Sequence, residues 1–342
     1  MKSYYQYSSI FTKTGFYAGL ISNSIFIYLT VFHIKKVTGT YKKMVIFFAV
    51  LGVIFSGWEL FAQPFMQNYD KALVYFSLST GAPQVYFQFA IAFYSTLYES
   101  ILAFISIQFV YRYLTLFHPD LMRKFDGKGI FWWIFYPFLP GAIYGSSLYL
   151  YCQPDNYADD YVREEMMSNY GLPIEEVPRF LIVSYNADNT FRWNSLAFLV
   201  QGISVVGIHY LIILYFGVKM KLNMKKKLEE HSNTYRRLQK QFFKALVVQT
   251  LVPTFLFVLP AGPILLGPLF SPIFNIKISL QTGWLCAVFS LFPPIDSIAF
   301  MIIVTEYKKV IRERLHIMVP LRETATVGYS TTDSRARPIS MN

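Results

Sequence analysis

The chain has 342 residues and a formal net charge of +11, yet only 15% of its residues are charged, against roughly a quarter in soluble proteins. Those charges are banked into a few stretches and nearly absent between them, which excludes a soluble enzyme of ordinary surface. Cys152 and Cys286 are the only cysteines, so neither a disulfide framework nor a cysteine-built zinc site can be assembled.

A membrane-spanning helix needs about 20 mostly apolar residues. Seven stretches meet that requirement: 14–34, 44–61, 85–110, 130–151, 194–218, 242–266 and 278–304. Residues 1–13 precede the first span and are assigned to the outside; that span is too long for a cleaved leader, and no small-residue cleavage site follows it. Leu73–Gln84 is apolar in places but short and broken by Gly81-Ala82-Pro83, and is read as an outer loop packed near the membrane. Between the fourth and fifth spans, 152–193 carries eight acids and three basic residues. It is either a lid over the outer face or a solvated acidic loop. After the seventh span, Tyr307, Val310, Ile311, Leu315 and Met318 fall on one helical face opposite Lys308, Lys309 and Arg312. That pattern predicts an amphipathic helix over 305–319 on the inner leaflet. The remainder, 320–342, is Ser/Thr-rich (Thr326, Ser330, Thr331, Thr332, Ser334) and is read as a disordered cytoplasmic tail open to phosphorylation.

Loop charges set the orientation. The loops on one side hold 23 Lys and Arg, those on the other 7. Positive charge is retained in the cytoplasm, so the N-terminus is outside and the C-terminus inside. The basic excess is thereby placed along a membrane, and no nucleic-acid partner is expected. The fold class predicted is all-α: a seven-transmembrane helix bundle in the lipid bilayer, of receptor type.

Catalytic patterns are absent. His33, His118, His209, His231 and His316 are scattered without metal-ligand spacing, and no phosphate-binding loop or nucleophile elbow occurs. No enzyme activity, cofactor or metal is expected. Gly15-x-x-x-Gly19 and Gly141-x-x-x-Gly145 suit close helix packing.

Several blocks are more individual. They are Gly19-Leu-Ile-Ser-Asn23; Gly39-Thr-Tyr-Lys-Lys-Met44; Trp58-Glu-Leu-Phe-Ala-Gln-Pro64; Phe109-Val-Tyr-Arg-Tyr-Leu114; Arg237-Leu-Gln-Lys-Gln-Phe-Phe-Lys-Ala-Leu246; and Phe292-Pro-Pro-Ile-Asp296. Together they resemble the Str group of nematode seven-transmembrane serpentine chemoreceptors, to which the diacetyl odorant receptor belongs. The likeness runs from the first span to the tail. It implies a G-protein-coupled chemosensory receptor in the plasma membrane of a sensory neuron, at its cilium. The implied partners are a small odorant or water-soluble chemical and a heterotrimeric G-protein. Two departures are Ser297, where the group carries proline, and Glu99, an acid in the middle of the third span. Tyr111-Arg112-Tyr113 stands where the larger rhodopsin-like class has Asp-Arg-Tyr.

Acids inside spans are costly and count as functional hypotheses. Glu59 either contacts ligand or reaches interfacial water, and Glu99 needs a partner, a proton or a wet cavity. With Tyr94, Tyr98, Gln201 and Trp284 they form the candidate ligand set. Asn23, Pro253, Pro260, Pro293 and Asp296 are assigned to a conformational switch, the prolines because each removes a helical hydrogen bond. Tyr111, Arg112, Arg237, Lys240 and Lys244 are the candidate G-protein contacts, with Arg112 expected to snorkel to the interface. The competing reading is a ligand-gated channel or small-solute carrier, which three buried acids without basic partners would serve poorly.

Overall fold

The computed structural model describes residues 4–35, 39–79, 81–125 and 127–315. The Ser/Thr-rich tail and the last residues of the expected amphipathic helix, Met318 among them, lie outside the described residues. We name the two faces outer and inner after the loop charges.

The first span is α1 (Tyr4–Phe32), which begins ten residues before Thr14, so most of the expected N-terminal segment is helix. The extension is packed: Ser8 and Thr12 are buried, and Ser290 donates to the Phe11 carbonyl. The second span is α2 (Gly39–Ala62). The strands β1 (Pro64–Tyr69) and β2 (Ala72–Ser77) follow as a hairpin. The third span, α3 (Gln84–Phe117), is enclosed by α2 and by three later helices. A short inner helix, α4 (Pro119–Phe125), leads to the fourth span.

The fourth span is two helices end to end, α5 (Ile130–Phe135) and α6 (Phe138–Tyr151). Pro137 and Pro140 lack the N–H groups that would carry one ladder through this stretch. Six other helical stretches among the described residues are each long and apolar enough to cross a membrane. Gly141 and Gly145 let α6 touch α3. A Cβ at Gly141 would stand 2.2 Å from Ser100 Oγ, and one at Gly145 2.0 Å from Thr96 Oγ1.

The 152–193 segment folds as a lid. It holds α7 (Asn156–Tyr170) and β3 (Arg179–Val183). Asp155 caps α7 by accepting from the Ala158 N–H at 2.9 Å, and Gly171 ends it in the left-handed conformation (φ 68°). The fifth span, α8 (Trp193–Leu228), extends past the membrane to Lys225–Lys227, whose charges suit a helix C-terminus.

The sixth span runs from α9 (Asn233–Pro253) through a π-helical segment, Thr254–Val258, into α10 (Leu259–Phe274). Pro253 cannot donate to the turn below it, and the wider π turn absorbs the mismatch. A three-residue strand, β4 (Ser279–Gln281), precedes the seventh span, which is divided into α11 (Trp284–Phe289) and α12 (Phe292–Ile303). The chain then turns at Val304 into α13 (Thr305–Leu315). Tyr307 is fully buried on α13, stacked on Phe26 and 2.8 Å from Thr30. Tyr307 on the apolar face of α13 is thus docked on the bundle.

The strands form one antiparallel sheet in the order β3-β2-β1-β4, an addition to the helical bundle that hydropathy did not suggest. Successive side chains point to opposite faces. Phe65, Val74, Phe76, Leu181 and Val183 pack under α7 against Ala158, Val162, Met166 and Tyr170. Met66, Leu73, Tyr75, Phe180 and Ile182 belong instead to the bundle core. The sheet is therefore a roof, apolar on both faces.

Candidate functional site

Beneath that roof lies a cavity of about 60 Å³. Met66, Leu73, Tyr75 and Ile182 come from the sheet, Tyr94, Ser95 and Tyr98 from α3, Tyr144 and Leu148 from α6, and Phe198 from α8. Phe257, Ala261, Ile264 and Leu265 come from the sixth span, and Leu285 and Cys286 from α11. Most of the wall is apolar. Of its hydroxyls, Tyr75 donates to the Ile91 carbonyl (3.2 Å), as does Ser95. Tyr94 differs: its hydroxyl is buried and has no hydrogen-bond partner.

Two of the six expected ligand residues, Tyr94 and Tyr98, therefore line the cavity. Glu59 is buried beside it, within electrostatic reach of Tyr94 and Cys286, and neither of its carboxyl oxygens has a hydrogen-bond partner. Gln201 stands behind α6, accepting from Ser147 at 2.6 Å. Trp284 is half-exposed and lines a separate groove between α1 and α11 with Tyr7 and Phe11. Glu99 lies outside the cavity wall and is not partnerless. His209 Nδ1 on α8 is 2.8 Å from Glu99 Oε1, both side chains buried. The expectation of buried acids without basic partners is corrected here; a histidine in the fifth span at matching depth was the available signal.

The cavity floor is aromatic and shared between helices. Tyr98 meets Phe257 at 4.5 Å and Phe289 at 5.4 Å, and Phe257 meets Phe289 at 4.9 Å. Phe257 belongs to the π-helical segment that follows Pro253. Tyr210 on α8 reaches the same segment, its hydroxyl 2.7 Å from Thr254 Oγ1. Pro260 is the second residue of α10, just above that segment. Further in, Asn23 donates to the Pro293 carbonyl at 3.4 Å, tying α1 to α12. Gln249 donates to Asp296 at 3.1 Å, tying α9 to α12. Of the five expected switch residues, Asn23, Pro293 and Asp296 stand at contacts among the first, sixth and seventh spans, and Pro253 and Pro260 flank the π-helical segment. Ser297 donates back to the Pro293 and Pro294 carbonyls at 3.3 Å, within one continuous helix.

At the inner end Arg112 departs from expectation. It is buried, 5% exposed, because α9 starts at Asn233 and covers it. Its guanidinium carbon lies 3.3 Å from the Tyr41 ring centroid and 4.2 Å from that of Phe242. One hydrogen bond, to Gln239 Oε1 at 3.2 Å, completes the contact, while Nε and Nη2 have no hydrogen-bond partner. Stacking favours a guanidinium over the strongly hydrated ammonium of lysine. The Gly39–Met44 and Arg237–Leu246 blocks supply these partners and close on one residue. Tyr111 is buried alongside, stacked on Tyr41 at 6.3 Å. Arg237, Lys240 and Lys244 stand exposed on α9 at the inner end.

The cap is tied to the sixth span as well. Asn68 on β1 donates to the Ile264 carbonyl (2.7 Å) and accepts from Thr282 (2.8 Å). Tyr185 donates to the Leu269 carbonyl at 2.9 Å. Both cysteines are free and buried.

Comparison with known proteins agrees with this geometry. The family model for the serpentine type seven-transmembrane GPCR chemoreceptor Str matches residues 8–312. The G-protein coupled receptor str-33 of Caenorhabditis elegans is 38% identical over 314 residues, covering 90% of each chain. Serpentine receptor class r-10 of the same organism is 26% identical over 286 residues, 81% of each. The fold is similar to that of squid rhodopsin, with a TM-score of 0.55 at 13% identity over 92% of this chain and 86% of that one. With cavity, roof and arginine contact arranged on a rhodopsin-like bundle, this multi-pass membrane chain belongs to the Str family of serpentine G-protein-coupled chemoreceptors, which are not enzymes.

Proposed function

We propose that this receptor binds a compact environmental chemical beneath its outer cap and passes the signal to a heterotrimeric G-protein in a sensory neuron, at the ciliary plasma membrane. The observation that carries the reading is the cavity, whose floor residue Phe257 sits on the π-helical segment of the sixth span. At about 60 Å³ it is far smaller than the ~300–1,000 Å³ of drug-sized sites, which favours a ligand of few heavy atoms. The wall suits a largely apolar ligand, and the Tyr94 hydroxyl is a donor without a hydrogen-bond partner, available to an acceptor on it.

Ligand pressed on Tyr98 and Phe257 would favour one setting of the π segment over another. It shifts the equilibrium only by its differential affinity for the two. Moving α9 would loosen Gln249 from Asp296 and lift Phe242 and Gln239 from Arg112, opening a cleft at Arg112 to the G-protein beside the already exposed Arg237, Lys240 and Lys244. Against the channel or carrier alternative stand Phe104, Phe289 and Phe292, fully buried in the apolar bundle core.

A screen of volatile and water-soluble compounds against the receptor in a calcium-reporting cell tests the reading. Ala261→Phe, which fills the cavity, should abolish the response at equal surface expression. Tyr94→Phe should shift potency about five- to tenfold, one net hydrogen bond, with the maximum unchanged. A full response from the filled cavity would remove this site from consideration. Arg112→Lys keeps the charge and loses the fork and stacking; it should reach the surface, bind and signal poorly. Currents persisting under G-protein blockade would restore the channel reading. A tag ahead of Met1 should be reachable on intact cells and one after Asn342 only after permeabilisation.

A further inference from the structure

The inner end holds a second feature that ligand recognition does not use. A cavity of about 580 Å³ opens there between α9 and α13. Arg236, Arg237, Lys240 and Lys244 come from α9 and Lys308 from α13, and no carboxylate lines it. Positions 236, 237, 240 and 244 share one helical face. Among the described residues none of the five is ion-paired. Gln241 braces the cup, donating to Thr305 Oγ1 and accepting from the Thr305 N–H, each at 3.2 Å. Beside the cup a groove of about 330 Å³ is lined by Ile298, Met301, Ile302 and Ile311, with Lys308 and Arg312 at its edge. Lys308 belongs to both depressions.

We infer that this paired feature is a binding site for an anionic phospholipid, with a multiply phosphorylated headgroup in the basic cup and an acyl chain along the α12 groove. Five like charges around one concavity repel each other, and a phosphate cluster relieves that repulsion while making charge-assisted hydrogen bonds. The adjoining apolar groove, facing the bilayer side of α12, selects a lipid over a soluble anion. Retention of loops by the positive-inside effect requires the number of charges but neither the cup nor the groove. Anionic lipids are concentrated in the cytoplasmic leaflet, where each Lys or Arg near the surface contributes about fivefold to affinity. A headgroup held here bridges the foot of the sixth span to the helix after the seventh, and so weights where α9 stands. The inference rests on this end facing the inner leaflet and on nothing about the odorant.

The test titrates phosphatidylinositol bisphosphate into the purified full-length receptor and counts bound lipid by native mass spectrometry. Saturation at one lipid is expected. Lys308→Ala alone should weaken binding about fivefold, and Arg236→Ala/Lys308→Ala at least about tenfold. Lys225→Ala/Lys226→Ala/Lys227→Ala, which removes equally basic residues from the end of α8, should stay within about twofold. Unchanged binding in the Arg236/Lys308 pair would overturn the site. An equal loss in the α8 triple variant would reduce it to diffuse attraction. Soluble inositol trisphosphate binding as tightly as the lipid would make it a site for a free anion and overturn the lipid assignment.

Discussion

At the outer end of the molecule Arg179 is forked onto Asp159, with Nε at 2.7 Å and Nη2 at 2.6 Å, and Nη1 bonded to the Val177 carbonyl at 3.0 Å. At the inner end Arg112, just as buried, lies between two rings with one hydrogen bond to a neutral amide. The outer arginine has every nitrogen occupied and joins β3 to α7 within one cap. The inner arginine joins α3, α2 and α9 across three spans, with two nitrogens to spare. A buried charge with full pairing is strongly opposed to separation, whereas a stacked, half-satisfied one can exchange its partners. The cap is built to hold its shape, and the inner contact to be released.

Removing the cap's anchor should produce the largest effect. Arg179→Ala leaves Asp159 uncompensated, a cost of about 3–5 kcal/mol. Surface receptor measured by antibody labelling should fall sharply, and a wild-type level would mean the lid does not depend on this pair. A similar cost is expected for His209→Leu, which strands Glu99 in the middle of the bundle. Glu99→Leu/His209→Leu should recover surface expression, because an apolar pair replaces a buried polar one at little cost. If the double variant stays as defective as the single, the pair acts through something other than its own burial.

The inner contact should respond more gently and in activity rather than expression. Gln239→Leu removes the one hydrogen bond to Arg112, about 1 kcal/mol, and should raise ligand-free signalling roughly fivefold. Basal signalling no higher than wild type would show that the contact does not hold the resting arrangement. Smallest of all is Lys309→Ala. Lys309 and Glu313 form an exposed pair at 3.8 Å, worth at most about 0.5 kcal/mol. Thermal stability of the purified receptor should not move measurably.

The spans were legible because the bilayer imposes a length on every apolar run, and loop charge alone orients them. What lay beyond was set by contacts whose phase a hydropathy profile does not carry. Glu99 was visible as an intramembrane acid, but its pairing with His209 depends on how α3 and α8 are rotated about their axes. Arg112 was placed at the correct helix end and given the wrong environment, since the reach of α9 down to Asn233 is written in polar residues. The roof was missed for a different reason. The stretch from Ala72 to Phe76 is an apolar run buried on both faces, and such a run looks like a fragment of a failed span. Its signal was the Asp70-Lys71 turn between two runs of equal length. The lid was more readable, for Ala158, Val162, Met166 and Tyr170 recur every fourth residue along α7.

Cys152 sits at the start of the lid, fully buried; its N–H donates to the Leu148 carbonyl of α6 at 3.1 Å, and its carbonyl accepts from the Leu181 N–H of β3 at 2.9 Å. No covalent bridge closes this outer loop. Its assembly consequently needs no oxidant during biosynthesis, and a mild thiol reductant applied to living cells has nothing in the cap to cleave. A receptor of this construction can meet a chemically reducing surrounding medium without losing the surface that reads it.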